Sequence, residues 1–314
     1  MKTNKLQQLT DFDLKLLRIF KTVAECRSFT TAESVLGISR SAISLHMTDL
    51  ENRLGLRLCQ RGRAGFSLTE QGQHVLGYFE ELSTSVEDFR NKINQMHNQL
   101  KGELHLGLIN NLVTMPHHLI TESLAKLTQE NPEICLNISM STLSEIECKV
   151  LDQRLHLGAV PLVTPLSGLD YTPLYDEDCF LYCGHQHPIL ELADVNLNDL
   201  GKFSAVRANY AMPESAVRLH QHLHCTATAT DREGIAFLIL SGKFLGFLPN
   251  HYAKKWQDEG LMYPVLAEKM HYTTQICMIT RKGCGSNSIV EHFFSHLHQL
   301  QASANGTKKA TEVA

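Results

Sequence analysis

Eight apolar residues between positions 75 and 100 recur at intervals of 4, 3, 4, 3, 4, 3 and 4: Val75, Phe79, Leu82, Val86, Phe89, Ile93, Met96 and Leu100. Alternation of four and three places two positions in every seven residues, the 3.5-residue period of a coiled-coil seam. Residues 70–101 are therefore expected to form one helix, with a seam roughly 38 Å long at 1.5 Å per residue. Glu80, Glu81, Glu87, Asp88, Arg90 and Lys92 flank it. A stripe this narrow predicts a partner helix, so Val75 to Met96 are assigned to dimerisation. Packing of the stripe on its own domain is the competing explanation. The helix divides the 314 residues into a head (1–69), a body (102–301) and a tail (302–314).

Charge follows the same division. Residues 1–66 hold 11 Lys/Arg and 6 Asp/Glu, a net of +5, and the remainder carries −9 of the total of −4. A basic head on an acidic body suits a polyanionic partner. The apolar residues Leu14, Leu16, Leu17, Phe20, Val23 and Ala24 predict a helix over 12–25. Ser28 or Thr30 can cap the next helix, and Glu33 stands at capping-box distance from Thr30. Gly37 ends that helix, and Ser39 caps a third running from Arg40 to Leu54. Two helices joined by a short Gly-containing turn make a helix-turn-helix, whose second helix enters the major groove of double-stranded DNA. Arg40, Ser41, Ser44 and Leu45 would face outward, with His46 beside them. Arg40 can donate two hydrogen bonds to a guanine edge. Arg57, Arg61 and Arg63, in a segment containing Gly62 and Gly65, predict a basic wing reaching phosphates or a minor groove.

The run Phe20…Val23-Ala24…Ser28-Phe29-Thr30…Ala32…Leu36…Ser39…Ala42-Ile43-Ser44…Leu50-Glu51…Leu54-Gly55…Arg57-Leu58…Arg61…Leu68-Thr69…Gly72 resembles the winged helix-turn-helix of LysR-type transcriptional regulators. The chain departs from that pattern at Arg40-Ser41, where the family often has Gln-Pro. It departs also at Leu45 and His46, where a basic residue and Gln are common, and at Cys59, where Phe is common. The resemblance implies an all-α winged helix-turn-helix, a linker helix that dimerises, and a two-lobed α/β effector domain of the periplasmic-binding-protein type. It also implies DNA binding through Ser28, Thr30, Thr31, Ser39, Arg40, Ser41, Ser44, Leu45, His46, Arg61 and Arg63. The expected partners are double-stranded DNA, a small-molecule effector, further copies as a homodimer or homotetramer, and RNA polymerase.

In the body, short apolar runs at 103–109, 134–140, 155–160, 179–184, 244–249 and 275–281 read as buried strands, and 116–130, 144–152, 232–242 and 287–299 as helices. Two lobes are expected, 102–162 with 268–301 and 163–267, joined by crossovers near Pro161–Pro165 and Tyr263–Glu268. Ligands of such sheets sit beyond the carboxyl ends of the strands. That nominates Asn110, Asn111, Thr114, Ser141, Thr142, Ser144, Arg207, Tyr210, Thr230 and Asp231 for a small polar metabolite. Arg207 suits a carboxylate. Asp231 is either the cap of its own helix or, with Glu145 or Asp176 nearby, a partner for an amine.

Other signals carry less. His220, His222 and His224 alternate and suggest a metal site only if extended. Nine cysteines over the whole chain read as reduced thiols, and no metal or cofactor is expected. No G-x-S-x-G, P-loop, G-x-G-x-x-G or H-E-x-x-H occurs, so an enzyme is not expected. The polar first ten residues and the absence of a membrane-length apolar run predict a cytoplasmic protein. Residues 302–314, small and polar, predict a disordered tail.

Overall fold

The computed structural model describes residues 8–62, 65–95, 100–116, 118–283 and 287–311, without the side chains of 61, 62, 65, 87, 88, 91, 92, 94, 95 and 304–311. It comprises two compact units, Met1–Val86 and Glu87–Ala314.

Three helices make the first unit: α1 (Asp11–Cys26), α2 (Phe29–Leu36) and α3 (Arg40–Leu54). Ser28 and Ser39 cap α2 and α3 by accepting the backbone N–H of Thr31 and Ala42, each at 3.3 Å. The capping box sits elsewhere than at Thr30: Thr10 and Asp13 form one at the start of α1. Gly37 closes α2 at φ 65°, the left-handed region where a side chain would strain the turn. Leu16, Phe20, Val23, Ala32, Ile43, Met47, Leu50 and Leu58 form the core. The wing is an antiparallel hairpin of β1 (Cys59–Gly62) and β2 (Gly65–Leu68), with Cys59 buried at its base. Glu51 fastens the wing to α3 by accepting the N–H groups of Leu58 and Cys59 at 2.8 and 3.2 Å.

Helix α4 (Glu70–Gln95) divides the seam instead of presenting it whole. Its Gly72 passes so close to the carbonyl of Leu58 that a β-carbon there would lie 2.0 Å from the oxygen. Phe79 is buried in the head core, and Val75 and Leu82 pack against it. Over two turns a 3.5-residue stripe is indistinguishable from the 3.6-residue face of an ordinary packed helix, which is how three seam positions come to serve the head. Val86, Phe89 and Ile93 are 47%, 64% and 40% exposed. Met96 lies outside the described residues, and Leu100 packs on the body core.

In the second unit β3 (Gly102–Leu108) is followed by a 3₁₀ turn at Leu112–Thr114, α5 (Leu119–Glu130), β4 (Ile134–Met140), α6 (Leu143–Leu151) and β5 (Leu157–Pro161). The long β6 (Leu169–Gly184) leads to a 3₁₀ turn at Pro188–Glu191, α7 (Leu197–Leu200), β7 (Ser204–Ala208), α8 (Glu214–His220), β8 (His224–Ala229) and α9 (Arg232–Leu240). Then come β9 (Gly246–Pro249), α10 (Asn250–Asp258), β10 (Met262–Pro264), β11 (His271–Arg281) and α11 (Ser288–Thr311). One sheet runs β10-β6-β11-β5-β3-β4, with β9 also on β6, and β7 pairs with β8 in parallel.

The crossings between lobes lie inside strands, not at the prolines. Leu169 and Leu174 of β6 belong to the first lobe's core with Leu104, Ile146 and Phe293, whereas Leu181 and Cys183 of the same strand belong to the second. Likewise β11 leaves Tyr272 against the second core and takes Ile276, Met278 and Ile279 into the first. Antiparallel pairing of β6 with β11 makes these two crossings a single ribbon, and the paired backbone outweighs the local preference of proline for a boundary. The tail is corrected over residues 302–311: α11 continues to Thr311, with Ala302, Ala304, Lys308, Lys309 and Ala310 favouring the helix and Asn305 and Gly306 giving the stretch its disordered look in sequence.

Candidate nucleic-acid interface and interlobe cavity

Burial orients the third helix of the head. Ile43, Met47 and Leu50 face the core, which leaves Arg40, Ser41 and Leu45 exposed, Leu45 at 61%. The oxygens of Ser28 and Ser39 accept backbone N–H groups, which leaves the Ser28 hydroxyl proton available to a phosphate or base acceptor, whereas the Ser39 and Ser41 hydroxyls share a hydrogen bond at 3.0 Å. Thr30 and Thr31 are exposed on α2, and Ser44 is half-buried. His46 is turned partly inward, its Nδ1 buried. Arg61 stands in β1 with its side chain outside the described residues, and Arg63 lies outside them altogether.

An ion pair that sequence reading misses, between buried Asp13 and the half-exposed Arg53, holds α1 to α3. Arg53 donates to both carboxylate oxygens of Asp13, Nη2 to Oδ2 at 3.0 Å. Asp13 is 1% exposed, and the Arg53 hydrogen bonds, with help from Thr10, bring its pKa down to about 2.

In the second unit a cavity of about 250 Å³ opens between the lobes. Of the residues nominated for a ligand, Asn110, Ser141, Thr142, Tyr210, Thr230 and Asp231 line it. Ser144 lines an adjoining recess of about 260 Å³, which shares Thr142 and Tyr210. Asn111, Thr114 and Arg207 are corrected, for they reach neither. Asn111 is at φ 72° with its side chain towards Tyr252. Thr114 meets His251 Nδ1 at 2.7 Å. Arg207 is exposed on β7 beside Cys225, because strand alternation places it on the face of Ala205, away from Tyr210. Asp231 does cap α9, accepting the Gly234 N–H at 2.7 Å, and still lines the cavity.

The cation of the cavity is Arg232, the first residue of α9, which the sequence offers only as a helix residue after its cap. Both of its terminal nitrogens bond the carboxylate of Glu177, Nη1 at 2.9 Å, and Nη1 also reaches the carbonyl of Asn110 at 3.4 Å. Glu177 is 1% exposed and accepts His251 Nε2 at 3.0 Å as well. Burial alone would raise its pKa, but Arg232 and His251 hold it below the ordinary range. Burial pushes the Tyr210 phenol up to about 12, so it stays a neutral donor at physiological pH.

A second cavity, of about 490 Å³, lies elsewhere in the first lobe, lined by Gln153, His156, Asp170, Arg281, Glu291 and His298 among others. It contains none of the expected ligand residues, and the interlobe cavity remains the candidate. His220 ends α8 buried against Phe247, whereas His224 begins β8, so the alternating histidines do not share one extended face. No cluster of three metal-ligating side chains occurs among the described residues. Cys179 and Cys183 are buried, and burial lifts both thiols to about 12, far from a reactive thiolate. No helix among the described residues is long and apolar enough to cross a membrane.

Residues 14–73 match the family described as "Bacterial regulatory helix-turn-helix protein, lysR family", and residues 97–302 match "LysR substrate binding domain". The HTH-type transcriptional activator BauR of Pseudomonas aeruginosa is 51% identical over 290 residues, covering 92% of this chain and 95% of its own. Among solved structures, the LysR family regulator CbnR superposes with a TM-score of 0.67 at 18% identity, over 91% of this chain and 98% of that one. CbnR bound to its target DNA gives 0.66 at the same identity, over 91% and 99%. With a helix-turn-helix head, a two-lobed α/β body and matches spanning both, the chain belongs to the LysR family of transcriptional regulators.

Proposed function

We propose that this chain is a transcriptional activator that binds a two-fold-related DNA site as a homodimer, or a pair of dimers, and responds to a small polar metabolite in its interlobe cavity. The observation that carries this reading is the exposure of Arg40, Ser41 and Leu45 on a Ser39-capped helix whose other face is buried. Arg40 reads a base edge, Leu45 offers an apolar contact to a thymine methyl, and Ser41 and Ser44 serve bases or phosphates. Thr30, Thr31, Arg61 and Arg63 anchor the backbone. Val86, Phe89 and Ile93 supply the surface between copies. The protein works in the cytoplasm beside RNA polymerase, with no cofactor beyond its effector. The word activator rests on similarity to BauR.

Run-off transcription from the DNA upstream of the protein's own and adjacent genes tests the reading. Purified chain is expected to raise transcript yield, and Arg40→Ala to abolish the rise. Transcription unchanged by the chain with every promoter tried contradicts it.

A further inference from the structure

We propose that the ligand of the interlobe cavity is a small amino carboxylate, with an ammonium and a carboxylate on one short carbon chain; this rests on reading that cavity as the effector site. The cavity of about 250 Å³ and its adjoining recess of about 260 Å³ have room for a small metabolite.

Charge decides the ligand class. Glu145 and Asp231 line the cavity from opposite lobes, and Arg232 is the single cationic side chain among the described lining residues. Arg232 is already matched by the buried carboxylate of Glu177. Neither Glu145 nor Asp231 has an ion-pair partner among the described residues. A ligand bearing only negative charge would meet two like charges, whereas an ammonium satisfies them.

The opposite pole is equally defined. Helices α6 and α9 both begin at the cavity, and their caps take up the N–H groups of Glu145 and Gly234. The earlier N–H groups of Leu143, Ser144, Arg232 and Glu233 have no intrahelical acceptor. With the hydroxyls of Ser141, Thr142 and Thr230 they form a donor set suited to a carboxylate, and they disfavour a diamine. One site thus asks for both signs of charge.

The test uses the full chain, with affinity read by calorimetry and melting temperature. The probes are amino carboxylates of two to six carbons, the matching acids without the amine, and the matching diamines. At least one amino carboxylate is expected to bind and raise the melting temperature, with its acid and diamine at least about tenfold weaker. Asp231→Asn and Glu145→Gln keep both capping roles, and each is expected to weaken that ligand about tenfold without changing the ligand-free melting temperature. An acid that binds wild type as tightly as its amino counterpart overturns the proposal, as does failure of every amino carboxylate. Ala211→Trp fills the cavity and separates the two readings. If it blocks an acid that binds wild type, the cavity is the effector site and only the ligand class is wrong. If an amino carboxylate binds this variant undiminished, the assignment of the cavity itself falls.

Discussion

Arg232 and Glu177 meet as a bidentate pair where β6 passes from one lobe to the other. Through Arg232 the pair touches the carbonyl of Asn110, and through His251 it touches Thr114, so residues of the first lobe are tied to α9 and α10 of the second. Because Arg232 also lines the cavity, a ligand bound there would act on the network that connects the lobes. It changes the lobe arrangement only as far as it binds one arrangement more tightly than another.

Breaking that pair from one side leaves a buried charge uncompensated. Glu177→Gln is expected to destabilise the second unit by about 3 kcal/mol, within the usual range for removing one partner of a buried pair. Glu177→Gln combined with Arg232→Met is expected to recover much of the loss. Urea denaturation of both variants measures it; a double variant no better than the single would show that the pair is not the cause.

Asp13 gives the head a pH-dependent contribution. Its folded pKa, brought down to about 2 from an ordinary 3.8, means that the stabilisation is complete above the unfolded value and is lost as pH falls towards 2. Asp13→Asn is expected to cost about 1–2 kcal/mol at neutral pH, with the difference from wild type narrowing below pH 4. A side-chain titration by NMR checks the midpoint, and a value near 4 would remove the ion pair from the account.

Two phenylalanines ten residues apart on α4 separate folding from assembly. Phe79 is 5% exposed in the head core and Phe89 is 64% exposed. Phe79→Asp is expected to unfold the head. Phe89→Asp is expected to leave the head folded but lower the mass in solution. Sedimentation of the Phe89 variant at the wild-type mass would exclude this face from the dimer.

On DNA, Arg40→Ala is expected to lose about 1–3 kcal/mol of discrimination between operator and random sequence. Arg63→Ala should weaken both alike and flatten the salt dependence. Titrations at two salt concentrations distinguish these effects; a sequence-selective loss in the Arg63 variant would move the wing from phosphate to base contact.

The head was legible because its signals are local. Ser39 and Gly37 punctuate the helices, and the spacing of Ile43, Met47 and Leu50 sets the face, so Arg40 and Leu45 follow without tertiary knowledge. The body was less so. Arg232 is ordinary in sequence and is defined by Glu177, fifty-five positions away, in a contact that only the fold creates. Arg207, by contrast, reads as a loop residue in sequence but stands in β7 and is turned aside by strand parity. The short strands β7 and β8, with sequences Ser-Ala-Val-Arg-Ala and His-Cys-Thr-Ala-Thr-Ala, lack the apolar signature of the others and are not legible as strands. Pro161 and Pro165 suggested the crossings, yet pairing along β6 and β11 placed them elsewhere.

The most direct test of the central claim is nuclease footprinting of the full-length protein on DNA upstream of its own and adjacent genes, with and without saturating amino carboxylate. Two related protected segments are expected, with their extent or spacing altered by the ligand. Absence of any protected segment, or a footprint identical at saturation with a ligand shown to occupy the cavity, would contradict the account.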